Sequence, residues 1–183
     1  MDQRERVRQH LLEHSVRTGH FTLKSGRESN WFIDSKQTIC APGIMADVAD
    51  LVLAAMPSDA TAIGGLTMGA DGVSFITAGV AALRGRSLSA FSVRKELKDH
   101  GAGGRIAGRL QPGDRVVITE DTVTRGTSLL EAAHVVQEFG AEVVALIAVV
   151  DRGGTARDMA AAEGLVFTSL FSAEDLGFNF EGA

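Results

Sequence analysis

The sequence predicts an α/β fold with a central, mainly parallel sheet flanked by helices, similar to a Rossmann fold. Short apolar runs alternate with helical segments throughout residues 60–171, and such units form parallel sheets through right-handed crossovers. Val, Leu and Ala dominate the apolar residues, whereas aromatic residues make up only 5%. This composition suits parallel strands that are buried on both faces.

The overall composition narrows the classes of protein to consider. A chain of 183 residues suits a single domain over 1–183, and a net charge of −5 argues against a nucleic-acid partner. Cys40 is the single cysteine, so there is no internal disulfide and no C-x-x-C metal pattern. No stretch resembles a signal peptide or a membrane span, so we expect a cytoplasmic protein without a membrane partner.

The N-terminal part, about residues 1–42, predicts a helix followed by a small appendage. Four apolar residues fall on one face of a helix over residues 3–17 that ends near Gly19: Val7, Leu11, Leu12 and Val16. The next segment, residues 20–40, alternates between polar and apolar residues and predicts a hairpin. A helix over about 43–56, opened by Pro42-Gly43 and closed by Pro57, begins the α/β core of about 43–183.

The core predicts five strands and three further helices. The strands are expected at 60–65, 87–93, 115–119, 142–150 and 165–171, and the helices at 70–85, 127–140 and 155–164. Residues 94–114 form a polar, glycine-rich connection. Because ligands of open α/β sheets bind at the carboxyl ends of the strands, the loops after the first four strands are the expected site.

The segment RVVITEDTVTRGTS, residues 115–128, combines a strand, two acids, a loop and a helix start. The N-terminus of a helix suits a phosphate, and Gly126 allows the backbone to come close. Glu120 and Asp121 would repel that phosphate, but carboxylates accept hydrogen bonds from vicinal hydroxyls. A ribose 5-phosphate fits both parts of this segment, because it has a phosphate for the loop and vicinal hydroxyls for the two acids. Helix capping alone would account for Thr127 or Ser128, but not for the whole unit.

This segment resembles the phosphoribosyl pyrophosphate (PRPP) motif of the type I phosphoribosyltransferases, and the resemblance implies their fold. In that family the acids hold the ribose hydroxyls and the loop holds the 5′-phosphate. The matching PRPP-binding residues are Glu120, Asp121, Thr122, Val123, Thr124, Arg125, Gly126, Thr127 and Ser128. Arg125 departs from the family, in which a small residue or Thr is commoner there.

Residues 94–109 form a basic segment with five basic and two acidic residues, one histidine and four glycines. A mobile cationic loop suits a pyrophosphate, although a solvated charged loop would look similar. The sequence of its first eight residues, RKELKDHG, resembles the R-K-x-x-K-x-H-G signature of orotate phosphoribosyltransferases. The resemblance implies PRPP contacts and a homodimer with shared active sites, because this mobile loop reaches the other subunit's site. The matching residues are Arg94, Lys95, Lys98 and His100, and we expect catalytic roles for Lys98 and His100 together with Asp121.

Three other segments agree with this family. FTLKSGRESNWFIDSK resembles its N-terminal hood, which implies that Lys24 contacts PRPP and that Phe32 and Ile33 lie against orotate, unless they only form a local core. Asp151-Arg152 matches an Asp-Arg pair of the family whose arginine binds the orotate carboxylate. A guanidinium group can pair bidentately with a carboxylate. An arginine on the surface without a function would give the same sequence. Thr124 is expected to contact orotate as well. GGLTMGADG, residues 64–72, matches the pyrophosphate turn, but Met68 replaces a lysine and Gly72 a proline of some members.

The resemblance implies transfer of ribose 5-phosphate from PRPP to orotate, giving orotidine 5′-monophosphate and pyrophosphate in pyrimidine biosynthesis. It also implies Mg²⁺ as a cofactor, held mainly by PRPP and water. Three alternatives stay open from the residues alone. They are a phosphoribosyltransferase for another base, a non-catalytic PRPP-binding regulator, and an unrelated sugar-phosphate binder.

Overall fold

The N-terminal helix is shorter than the apolar pattern predicts. In the structure, a computed structural model that describes residues 1–22, 28–96 and 104–179, α1 (Gln3–His10) continues as a π-helix over Leu11–Ser15. Strand β1 (Val16–Thr22) follows without a break, so the prediction of a helix to residue 17 was wrong. Gly19 lies inside β1 rather than at a helix end. Cross-strand pairing overrides the helical periodicity here, because β-branched Val16 pairs with Ile33.

The predicted hairpin is confirmed, since β1 pairs antiparallel with β2 (Glu28–Ile33). Burial alternates along β2, with Ser29, Trp31 and Ile33 buried and the residues between them exposed. A short helix that the sequence did not predict, α2 (Lys36–Ile39), follows directly. We call residues 1–42 the hood from here on.

The core contains the predicted strands and helices and one additional strand. Its elements are α3 (Met45–Ala55), β3 (Ala62–Leu66), α4 (Gly69–Leu83), β4 (Ser89–Val93), β5 (Ile106–Gly108), β6 (Arg115–Val123), α5 (Thr127–Glu138), β7 (Glu142–Asp151), α6 (Ala156–Ala162), β8 (Phe167–Ser172) and a 3₁₀ turn at Glu174–Leu176. The sheet order is β5-β4-β3-β6-β7-β8, and every neighbouring pair is parallel except β4-β5. The prediction of a mainly parallel sheet is therefore confirmed.

Helices cover both faces of this sheet. Neighbouring residues of β6 show the two layers, because Val117 belongs to the hydrophobic cluster that includes residues of α1, α3 and α4, whereas Ile118 belongs to the cluster that includes residues of α5 and α6. Both side chains are fully buried. Trp31 of the hood belongs to the first layer, so the hood and the α/β core share one hydrophobic core. Among the described residues, none of the helices combines the length and the hydrophobicity that crossing a membrane would require.

The chain changes direction between β3 and β6, which sets the position of the site. From β3 it moves outward to β4, and from β6 it moves the opposite way to β7. The loops at the carboxyl ends of β3 and β6 therefore diverge and leave a crevice. Gly65 keeps this crevice narrow, because a Cβ there would lie 2.2 Å from the Thr119 carbonyl oxygen and 2.6 Å from Ala70 Cβ.

We predict that Gly65→Ala destabilises the protein by about 2 kcal/mol, in the range of other overpacked cores, because the backbone of Thr119 leaves no space for a methyl group. Gly79→Ala is the matched control, because a Cβ at this helical position meets nothing within 4 Å. That control is expected to raise the free energy of unfolding by about 0.5–1 kcal/mol. Urea denaturation of both variants measures the difference, and equal midpoints would contradict the packing argument.

Candidate active site

Two adjacent carboxylates lie inside β6 rather than in the loop after it. The strand extends to Val123 because its pairing with β7 continues through Thr122 and Val150. Glu120 and Asp121 are 7% and 6% exposed. Both carboxyl groups turn toward the start of α4, where a Cβ at Gly69 would lie 1.8 Å from Glu120 Oε1 and 2.7 Å from Asp121 Oδ1. The absence of a side chain at Gly69 therefore leaves the space that the acid pair occupies.

Burial and the neighbouring carboxylate shift the titration of Glu120. The pKa of Glu120 is raised to about 8, first by burial of its carboxyl and then by the hydrogen bond and negative charge of Asp121, against smaller opposing effects of the Asp121 N–H and of Lys36. Glu120 is therefore mainly protonated at neutral pH. A single negative charge at the pair avoids the cost of burying two.

The hood supplies two partners of Asp121 that the sequence interpretation missed. Ser35, fully buried, donates to Asp121 Oδ2 at 3.1 Å and lies 2.7 Å from the hydroxyl of Thr122. Lys36 forms an ion pair with the same carboxylate. Burial lowers the pKa of Lys36, but Asp121 outweighs burial and the pKa is raised. A lysine at the start of a four-residue helix carries no distinctive sequence signal, so only the fold brings it to the acids.

The loop after β6 presents main-chain N–H groups. Gly126 is in the left-handed region at φ +89°, and a Cβ there would lie 2.9 Å from Ala156 Cα, so this position requires glycine. It is the N-cap of α5, and no side chain caps the first turn of the helix. Thr124 and Ser128 are partly exposed and Thr127 is exposed. Arg125 is exposed too, and its carbonyl oxygen accepts a hydrogen bond from Thr155 at 3.2 Å.

The glycine-rich turn after β3 is fastened to the neighbouring strand. Helix α4 begins at Gly69, one residue earlier than predicted. Asp71 accepts hydrogen bonds from the hydroxyls of Thr67 and Ser92, both at 2.7 Å, which ties the turn to β4. Met68 is 72% exposed.

The basic segment is described only at its two ends. Arg94 donates to the carbonyl oxygens of Gly104 and Ile106, both at 3.3 Å, and the N–H of Arg94 bonds the carbonyl of Arg105 at 2.7 Å. Arg105 in turn forms an ion pair with Glu131 of α5. These contacts close the base of the segment and include β5, which the sequence did not predict. Lys95 is exposed, whereas Lys98, His100 and Lys24 lie outside the described residues.

Arg152 lies where β7, β6 and the hood meet. Its N–H donates to the carbonyl oxygen of Val123 at 2.9 Å. Its Nη2 lies 3.3 Å from both the Ser29 hydroxyl and the Trp31 carbonyl oxygen. Phe32 and Ile33 point to opposite faces of β2, with Phe32 39% exposed and Ile33 in the core. Only one of these two side chains can therefore lie against a ring that binds on a given face.

Together these residues form three chemically different sets at one edge of the sheet. Carboxylates in β6 can accept from hydroxyls, N–H groups at the start of α5 can bind a phosphate, and the guanidinium of Arg152 can pair with a carboxylate. Within the described residues no cluster of three or more His, Cys, Asp or Glu side chains could hold a metal ion alone. A metal ion at the acid pair would need further ligands from elsewhere.

Comparison with known proteins gives consistent relatives. The chain is 39% identical to the orotate phosphoribosyltransferase of Streptomyces avermitilis over 97% of this chain and 99% of the relative. The orotate phosphoribosyltransferase of Mycobacterium tuberculosis in complex with Fe(III) dicitrate is similar in structure, with a TM-score of 0.86, 37% identity, and coverage of 97% and 100% of the two chains. The same enzyme in complex with PRPP gives a TM-score of 0.82 and 34% identity, with equal coverage. No family model matches the chain.

We predict that Glu120→Gln stabilises the protein and that the gain grows with pH. The folded pKa of about 8 lies above the ordinary glutamate value of 4.5, so the wild type loses stability as the pH rises from about 4.5 to 8. Glutamine has no proton to lose, and its melting temperature should exceed that of the wild type by about 4 °C or more at pH 8. Thermal melts at pH 5 and pH 8 measure the effect. The exposed Glu138→Gln is the control, and an equal pH dependence in both variants would refute the assignment.

Proposed function

The chain belongs to the orotate phosphoribosyltransferase family and has its type I phosphoribosyltransferase fold, so it is a pentosyltransferase of pyrimidine biosynthesis; we propose that its active site lies where β3, β6 and β7 end. There it would convert orotate and PRPP to orotidine 5′-monophosphate and pyrophosphate. One observation carries this placement. The buried acid pair, the uncapped start of α5 and Arg152 meet at the same edge of the sheet.

PRPP is held in three parts. Glu120 and Asp121 accept hydrogen bonds from the ribose 2′ and 3′ hydroxyls. The N–H groups that begin α5, together with the hydroxyls of Thr124, Thr127 and Ser128, bind the 5′-phosphate. The pyrophosphate lies along the turn from Thr67 to Asp71, where main-chain N–H groups at the start of α4 can bind it.

Mg²⁺ fits this acid pair, because two adjacent buried carboxyl groups offer the oxygen ligands that a hard cation prefers. PRPP oxygens and water would provide most of its ligands, and Glu120 and Asp121 the protein's share. When bound, the ion neutralises charge on the departing pyrophosphate.

Catalysis requires position and charge rather than a nucleophile in the protein. The orotate ring nitrogen attacks C1′ as the bond to pyrophosphate breaks, and the protein holds both reactants in line. Lys98 and His100 stabilise or protonate the leaving pyrophosphate. Lys24 and Lys95 add positive charge, and Arg94 closes the base of the loop that carries Lys98 and His100.

Orotate lies between the hood and β7. Arg152 pairs with the orotate carboxylate, and Thr124 contacts the ring from the loop after β6. Phe32 is the better candidate of the two hood residues for the ring, because Ile33 is committed to the core.

The protein works as a homodimer in which Lys98 and His100 act in the partner's site. Helix α4 supports this, because Phe75 and Leu83 are 50% and 89% exposed and recur with Met68 at spacings that share one helix face. Asp71 is the only charged residue of α4. Residues 1–183 act as one phosphoribosyltransferase domain, which the shared core of hood and sheet supports. A cytoplasmic location stays a prediction.

We predict that Arg152→Gln lowers kcat/KM for orotate about 100-fold, because a charge-assisted pair is worth roughly 2–3 kcal/mol. The KM for PRPP should change little. Orotate consumption, followed by absorbance with PRPP and Mg²⁺, measures both constants. The matched control is Arg157→Gln, an exposed arginine five residues later.

The same assay separates the alternative functions. Wild-type activity with adenine or xanthine in place of orotate would point to another base. Tight PRPP binding without release of pyrophosphate would point to a regulator.

We predict that mixing two inactive variants restores activity. In a twofold dimer with shared sites, Lys98→Ala and Asp121→Asn subunits combine into heterodimers that each hold one intact site. After subunit exchange, an equimolar mixture should recover about a quarter of the wild-type rate. Each variant incubated alone is the control. A mixture as inactive as its components, with subunit exchange verified, would show that the loop acts within its own subunit.

A further inference from the structure

Arg152 does not lie free at the end of β7. The Arg152 Cζ lies 4.5 Å from the centroid of the Trp31 ring, which is within the range of a cation–π contact, and tryptophan is the strongest partner for such a contact. Trp31 is 1% exposed, so this contact is shielded from water.

Trp31 itself is held from two directions. Its main chain bonds Ser29, which donates to the Trp31 carbonyl oxygen at 2.7 Å and accepts from the Trp31 N–H at 3.3 Å. Its ring stacks on Phe178, with centroids 4.6 Å apart and planes 14° from parallel. Ser29 and Trp31 face the same side of β2 because they are two residues apart, and Arg152 contacts both.

Phe178 is fixed in turn by the end of the chain. Its N–H donates to the Ala173 carbonyl oxygen at 2.9 Å, and Gly177 makes the turn at φ +81°. Asp175 accepts hydrogen bonds from Ser172 and pairs with Arg4 of α1 at 3.0 Å, which fastens the turn to the hood. A line of defined contacts therefore connects α1 and the C-terminal turn with Arg152.

We propose that Trp31 and Phe178 are positioning residues that fix the plane of the Arg152 guanidinium for its carboxylate ligand, so that the C-terminal turn helps to set affinity for orotate. We call these two residues the aromatic brace. A bidentate pair requires the guanidinium and the carboxylate to share a plane, and an arginine side chain has several rotatable bonds that would otherwise let the plane turn. The inference rests on the proposed role of Arg152 in binding orotate.

Trp31 is the only tryptophan of the chain, so its fluorescence reports on the brace directly. Orotate is expected to change the emission of the wild type in a saturable way, after correction for the absorbance of orotate. Phe178→Leu keeps an apolar side chain but removes the stacked ring. It should raise the KM for orotate and the concentration of half-maximal emission change together, about fivefold, while the KM for PRPP stays within about twofold.

Substitutions of Trp31 by side chains that retain less of the aromatic contact are expected to raise the KM for orotate by increasing amounts. Trp31→Leu removes the aromatic face and should raise the KM for orotate about tenfold, and Trp31→Phe should give an intermediate value because a smaller ring retains part of the contact. Phe139→Leu, at an exposed ring beyond α5, is the matched control and should leave both KM values unchanged. Melting temperatures establish that each variant is folded.

Three outcomes would contradict the positioning role proposed for the aromatic brace. They are an unchanged KM for orotate in folded Phe178→Leu and Trp31→Leu, an equal rise of the KM for orotate and for PRPP, and a wild-type emission that does not respond to orotate. A wild type that consumes no orotate would instead refute the proposed function, and with it the positioning role proposed for the aromatic brace.

Discussion

Two adjacent buried carboxylates at the carboxyl end of β6 are the constraint around which the rest of the site is organised. A carboxylate is costly to ionise away from water and beside a second acid, and the pKa of Glu120, raised to about 8 mainly by burial and then by Asp121, expresses that cost. Gly69 leaves room for the two groups, while Ser35 and Lys36 satisfy Asp121. In the proposed function the same oxygens bind a ribose and a cation, which would account for an otherwise unfavourable arrangement. Strongly shifted pKa values of this kind cluster at functional sites.

The hood is part of this site rather than an appendage to the fold. Ser35 and Lys36 reach Asp121, and Ser29 and Trp31 reach Arg152, so one short hairpin and the helix after it contact both halves of the ligand-binding edge. Burial of Trp31 in the core makes these contacts rigid. Loosening the hood is therefore expected to affect the proposed ribose and base subsites together.

Much of the α/β core could be predicted from the sequence, because buried parallel strands are continuous apolar runs with glycines or prolines at their ends. The acid pair and its loop were also recognisable, since their residue types and order are unusual. Other features depend on tertiary contacts. The position at which β6 ends depends on the length of β7. The first helix ends at Ser15 because Val16 pairs with Ile33. Strand β5 forms because three residues pair with β4 at the edge of the sheet. Lys36 becomes a site residue only because the fold brings it into contact with Asp121, from which it is separated by 85 positions in the sequence.

The proton on Glu120 has a thermodynamic consequence for binding. A ligand that needs both carboxylates ionised must displace this proton, so association near neutral pH releases a proton into the buffer. The observed enthalpy of such an association then contains the ionisation heat of the buffer. By linkage, the apparent affinity of such a ligand would strengthen as the pH rises and level off above about 8.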